Sequence, residues 1–319
     1  MTIRKPAVAN QFYPGNPQML KQSIMEYLEK ARSPIGSGIT DANKITKSSR
    51  LKAIISPHAG YIYSGWTAAY AYKLLKGLDQ DVTWKVLLLG PSHHVPFYGA
   101  AAPEEDKWKT PFGLVDVKDI RSELKESEEI IDVPEANSYE HSLEVQVPFL
   151  QMVLKKFVLY PLVLGNLKPK FLAGELAGFA QREDVIVVVS SDLSHFLKYS
   201  EAKKVDMETS AAIYDLDIMK MSEMGDACGK SGILTLMNLA KELGWKCEML
   251  NYKNSGDTAG DMNSVVGYGA FAFYLGLKFL EPVSRDESGF SSFSFLEFPF
   301  QSISGLICIW WTCVRHSFS

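Results

Sequence analysis

Histidine, cysteine and acidic residues recur in this chain directly after apolar runs. His58 follows "LKAIISP", His93 and His94 follow "WKVLLLGPS", and Asp192 and His195 follow "DVIVVVSS". Runs this continuous in hydrophobicity suit strands buried on both faces. In a parallel sheet of βα units the carboxyl ends of the strands share one edge, where binding sites collect. A histidine near a core is most often a packed, hydrogen-bonded residue. Three strand ends that each deliver imidazole to one edge argue for more than packing.

Imidazole beside carboxylate is the donor set of a metal site or of acid–base chemistry. Zinc favours a tetrahedral set, often with thiolate. Non-haem iron is commonly held by two histidines and one carboxylate. His141 opens the helical pattern "HSLEVQVPFL" with Glu144 three residues on, which predicts both on one helical face. Cys228, in "GDACGKSGIL", precedes a helical pattern whose N-terminus would lower a thiol pKa. Neighbours on an extended chain point apart. Only one of His93 and His94 can therefore face the site, and the reading gives that place to His93, with His94 supporting from outside.

Such residues need a frame. The 319 residues are 46% hydrophobic and 22% charged, the composition of a globular protein with a sizeable core. Strand-like runs ("LKAIISPH", "WKVLLLGPSH", "FVLYPLVLG", "DVIVVVSSD", "KCEMLNY", "SVVGYGAFAFYL") alternate with helical patterns such as "PQMLKQSIMEYLEKAR", "SGWTAAYAYKLLKGL", "SLEVQVPFLQMVLKKF", "KFLAGELAGFAQR" and "KSGILTLMNLAKELG". Alternation of this kind predicts a single α/β domain, with a central mostly parallel or mixed sheet flanked by helices. Residues 33–49 read as a polar surface loop, and the charged stretch from Glu104 to His141 as a peripheral excursion that returns to the site. The domain is expected over residues 1–280. The Ser- and Phe-rich remainder, 281–319, has no period and reads as a poorly ordered tail.

A net charge of −4 offers no basic stripe for nucleic acid. The four cysteines form neither CxxC pairs nor a disulfide framework. The start "MTIRKPAVANQFYPGN" carries no apolar signal core, and no apolar run approaches the roughly 20 residues of a membrane span. A cytoplasmic, reduced setting is expected. "PHAGYIYSG" is not a dinucleotide fingerprint, and "ACGKSG" is not a phosphate loop, because Met224 stands where that motif needs its first glycine. A serine hydrolase is disfavoured too, since no GxSxG elbow accompanies "SSDLSH".

Six blocks appear in order: "ISPHAGYIYSG", "LLGPSHHVPF", "EHSLEVQVPFLQ", "VVSSDLSHF", "ACGKSGI" and "NSGDTAGDMNSVVGYGAFAF". Together they resemble the Memo family, from about Ile3 to Leu277. The resemblance implies a fold like that of the class III extradiol dioxygenases, with a pocket at one sheet edge. It implies a metal on His58, His93 and Cys228: iron or copper, with zinc as a further candidate. It also implies Asp192 and His195 in the same pocket as catalytic groups, with His141 and Glu144 as further family-motif residues. Family members are often encoded near AMMECR-type and radical-SAM proteins, the AmmeMemoRadiSam grouping, so those are the partners implied. Two functions follow as expectations: a metal-dependent redox enzyme or accessory protein, and a non-catalytic pocket for phosphorylated or anionic peptides. The dioxygenases complete their iron site with glutamate where Cys228 stands here, so catechol cleavage is not expected. Fold alone does not decide the matter.

Overall fold

The computed structural model describes residues 1–31 and 51–276. The loop expected at 33–49 and the tail expected at 281–319 lie outside the described residues. The strands are β1 (Ile3–Arg4), β2 (Leu51–Ser56), β3 (Trp84–Pro91), β4 (Ala100–Ala101), β5 (Lys107–Thr110) and β6 (Gly113–Asp116), followed by β7 (Ile130–Ile131), β8 (Phe157–Leu164), β9 (Val185–Ser190), β10 (His195–Leu197), β11 (Trp245–Asn254) and β12 (Val265–Leu275).

Among the described residues, nine strands form one sheet in the order β10-β12-β2-β9-β3-β8-β4-β7, with β11 also paired to β12. Its centre, β2-β9-β3-β8, is parallel. β12 runs antiparallel to β2, and β4 antiparallel to β8. The sheet is therefore mixed, with a parallel heart. β1, β5 and β6 make a separate three-stranded sheet. Among the described residues, no helix is long and apolar enough to cross a membrane.

The period of two in the central strands feeds two core layers. Ile54, Val86, Leu88, Ile186 and Val188 face helices Pro17–Lys30 and Tyr61–Leu75. Ala53, Ile55, Leu87, Leu89, Val187 and Val189 face helices Pro169–Ala180 and Lys230–Leu243. Both faces are covered, which explains why these strands read as unbroken apolar runs. This is the α/β architecture expected from the sequence.

Two differences have physical causes. The helix expected to open at His141 starts later: a 3-10 turn spans Glu144–Gln146, and the α-helix proper is Val147–Val153, with Pro148 in its first turn. Proline is tolerated at a helix start and not in its interior. Helix Tyr199–Tyr214 was not visible as an apolar stripe, because its inner face buries Asp206, Thr209 and Ser210 beside Ala202, Ala212 and Ile213. Asp206 accepts hydrogen bonds from the Ser194 amide (2.9 Å) and the Tyr252 hydroxyl (2.7 Å), so the polar face fastens the segment after β9.

Gly90 shows how tightly the site loop approaches the sheet. A Cβ there would lie 2.7 Å from Leu143 Cδ2 and 2.9 Å from Ser142 Oγ. Gly174, in an exposed turn of helix Pro169–Ala180, has nothing within 4 Å of such a Cβ. Gly90→Ala is expected to destabilise the protein by about 1–3 kcal/mol through overpacking. Gly174→Ala is expected to stabilise it by roughly 0.5–1 kcal/mol, because alanine holds helix better than glycine. Urea denaturation of both variants checks the pair, and equal effects would contradict the packing described.

Candidate metal centre

β2, β3 and β9 end side by side, and the next few residues of each turn into a shared cleft. His58 follows β2, His93 follows β3, and Asp192 follows β9. The cleft holds about 470 Å³ and is lined by Phe12, His58, Tyr63, His93, His141, Asp192, His195 and Tyr268 among others. His58, His93 and His141 each offer one ligand atom within 4.8 Å of the others. A group of three histidines at this spacing can hold a metal ion.

Two of the rings are held from behind, and the third is held by stacking. His58 Nδ1 lies 2.9 Å from Ser190 Oγ, and its Nε2 lies 3.1 Å from Cys228 Sγ. His93 Nδ1 lies 2.9 Å from Glu140 Oε1, and the His93 amide donates to Glu140 Oε2 at 2.6 Å. His141 stacks on His93 with ring centroids 4.6 Å apart, and Phe12 packs on His141 at 4.7 Å.

Burial and crowding set the protonation states. His58 is buried, and burial followed by the neighbouring His93 and His141 holds its pKa well below the ordinary histidine value. Burial likewise brings His141 down to about 4, with Glu140 pulling the other way and His93 and His94 adding to the drop. Burial also lowers His195. Glu140 is buried, which would raise its pKa, yet hydrogen bonds from the His93 ring and amide and the Ser142 amide outweigh this and hold it at about 2. Asp192 goes the other way: burial pushes it up to about 7, although the His58 and Ala59 amides donate to its Oδ1.

The expected site residues separate into groups. His58, His93, His141, Asp192 and His195 meet in the cleft. Cys228 reaches it through His58 and also borders a smaller cleft of about 250 Å³ beside the start of helix Lys230–Leu243. Its thiol is not activated by the helix start. Burial, reinforced by Asp192, pushes it up to about 12. Glu144 lies elsewhere, because the chain between His141 and Glu144 is a turn rather than a helix. Its carboxylate is buried against Arg4 (2.6 Å) and accepts from the Ala7 and Val8 amides and the Tyr13 hydroxyl. That ion pair ties the N-terminal segment down and thereby places Phe12. His94 is exposed, with its ring 6.1 Å from that of His141, and is absent from the cleft lining.

His195 enters the cleft through a bulge. β10 pairs with β12 irregularly between His195 and Leu197, and Phe196 sits at φ 62° with its ring exposed. A bulged residue turns away and re-aims its neighbour. Glu140, Ser190, Gln146, Phe12 and Tyr268 were not foreseen. Glu140 had one signal, its place beside His141 in a matched block.

A mixed sheet that brings three imidazoles to the ends of its parallel strands defines an α/β protein with a histidine centre. The chain belongs to the Memo family: residues 4–272 match the family described as Memo-like protein. It is 36% identical over 283 residues to a MEMO1 family protein of Nitrosopumilus maritimus, covering 85% of this chain and 99% of the relative. A MEMO1 family protein of Sulfolobus acidocaldarius is 37% identical over 279 residues, covering 83% and 97%. One from Archaeoglobus fulgidus is 36% identical over 286 residues, covering 85% and 99%.

The depressed pKa of His141 gives a pH signature. Its folded value of about 4 lies below the ordinary histidine value of 6.5, so between these the unfolded chain binds more protons and native stability falls as pH falls. In metal-free protein, the stability of wild type relative to His141→Ala is expected to be constant above pH 6.5. Below that it should decline steadily toward pH 4. Denaturant titrations at fixed ionic strength check this, and a pH-independent difference would show that burial does not hold His141 neutral.

Proposed function

We propose that the cleft is a transition-metal centre of a redox enzyme or redox accessory protein. In this reading His58, His93 and His141 hold the ion, and Cys228 joins as a donor once its thiol gives up its proton. The observation that carries the reading is the cluster of three ligand atoms within 4.8 Å, on residues that line one open cleft. The residues fit a metal because burial keeps the His58 and His141 rings uncharged, while Ser190 and Glu140 engage Nδ1 of His58 and His93 from behind. Neutral imidazole is the form that ligates.

A bound transition metal would supply Lewis-acid or one-electron chemistry at the cleft floor. Imidazole donors suit iron, copper and zinc, and a thiolate shifts preference toward copper or zinc. The chain's own groups supply proton handling. Asp192, with a pKa near 7, can hold or release a proton at neutral pH, as a general acid or base must. His195, in the same cleft lining, is kept neutral by burial and can accept one. Phe12, Tyr63 and Tyr268 make the remaining walls largely apolar and exclude water from the bound molecule.

Binding of phosphorylated or anionic peptides is the weaker reading. Recognition of phosphate rests on arginine or lysine, and no lysine or arginine lines this cleft among the described residues. A role beside AMMECR-type and radical-SAM proteins in the cytoplasm extends the proposal and is supported by the motif resemblance alone.

Anaerobic titration with iron(II), copper(I) and zinc(II) tests the reading. Wild type is expected to bind one of them at one equivalent, and His93→Ala to lose at least tenfold in affinity while staying folded. Equal affinity and stoichiometry in the variant would refute the assignment. Iron-loaded wild type is expected to leave protocatechuate and simple catechols uncleaved, followed by the colour of the ring-opened product. Robust turnover that disappears in His58→Ala would contradict this.

A further inference from the structure

We propose that Glu140 and Ser190 are the positioning residues of the centre: they fix His93 and His58 with hydrogen on Nδ1, leaving both Nε2 lone pairs bare for a metal. The inference rests on the metal reading above and adds the two groups that make the rings into ligands.

The hydrogens around His58 fix its tautomer. The Pro57 carbonyl can only accept, so the Gln146 amide nitrogen must face it, at 3.0 Å. The Tyr72 hydroxyl, 2.7 Å from Gln146 Oε1, agrees with that orientation. The second amide hydrogen of Gln146 points to Ser190 Oγ at 2.7 Å. Ser190 has one hydroxyl hydrogen, and it goes to the Ser142 carbonyl, another pure acceptor, at 2.5 Å. A hydroxyl has one donor and two lone pairs. One lone pair is taken by Gln146, and the other faces His58 Nδ1 at 2.9 Å. Nδ1 must therefore carry the hydrogen, and Nε2 cannot.

Glu140 is buried and accepts the His93 amide on Oε2 (2.6 Å) and the Ser142 amide on Oε1 (2.8 Å). Oε1 also faces His93 Nδ1 at 2.9 Å, so the ring donates from Nδ1. The same oxygen lies 3.5 Å from His141 Nδ1. One carboxylate thus stands behind two of the three rings.

Ser142 links the two supports. Its amide serves Glu140, its carbonyl serves Ser190, and its hydroxyl donates to the Pro91 carbonyl at 2.9 Å. The support of His58 and the support of His93 are joined through one residue's main chain, which itself hangs from the end of β3. Such outer partners fix the tautomer and orientation of a ligating histidine, and losing one typically weakens metal binding about 10–100-fold.

Two measurements test the proposal. Imidazole nitrogen-15 spectra of metal-free wild type at neutral pH are expected to show His58 and His93 protonated on Nδ1 alone. An Nε2-protonated ring at either position would overturn the assignment. Glu140→Gln is expected to turn His93 into a mixture of tautomers, because an amide cannot accept at all three of the carboxylate's contacts. Cobalt(II), titrated against a competing chelator, is expected to bind Glu140→Gln and Ser190→Ala about 10–100-fold more weakly than wild type. Unchanged cobalt affinity in both folded variants would also overturn it. If either variant fails to fold, the wild-type spectrum still decides. A wild type with both rings protonated on Nδ1 that takes up no cobalt would refute the metal reading while supporting the positioning roles.

Discussion

Three imidazoles with centroids 4.6 to 5.6 Å apart cannot all carry charge in one cleft. Two positive rings at about 5 Å repel by roughly 3 kcal/mol at the effective dielectric of a protein surface, and burial of His58 adds a further penalty. Burial therefore holds His58 and His141 as neutral rings. Everything around the site serves that condition. Glu140 and Ser190 take the Nδ1 hydrogens, Ser142 ties them together, and Gly90 leaves room for the Ser142 loop to lie against the sheet.

The frame follows from the sheet. Parallel β2, β9 and β3 are covered on both faces, so their residues must be apolar until the strands end, and chemistry can begin only past the carboxyl edge. The neighbouring antiparallel strand β12 adds Val266 and Tyr268 as a wall, and the N-terminal segment adds Phe12. That segment is anchored by the buried Arg4–Glu144 pair, an expensive arrangement to desolvate whose oxygens are fully used by backbone amides and Tyr13. The outcome is a largely apolar cleft lined by three imidazoles and by a carboxylate that titrates near 7. That combination suits a metal and a small, uncharged partner molecule better than it suits phosphate.

Much of this was legible in the sequence because strand ends are legible. The runs before His58, His93 and Asp192 name their own edge, and a parallel sheet makes that edge common to all three. Glu144 was less legible. Spacing of three residues places it with His141 only if the chain between them is helical, and the chain turns there instead. Glu140 could not be found by spacing, since what matters is its contact with a ring 47 residues away in the chain. The activated thiol expected of Cys228 failed for a related reason: proximity to a helix start is local, whereas burial against His58 and Asp192 is a property of the assembled fold.

The central claim is that this cleft binds a metal through imidazole nitrogen. Metal-edge X-ray absorption on protein purified without oxygen and loaded with one equivalent of zinc tests it most directly. The account predicts a first shell containing imidazole nitrogen at about 2.0–2.1 Å, with a sulfur at about 2.3 Å where Cys228 joins. A shell of oxygen alone, or metal lost on gel filtration, would contradict it.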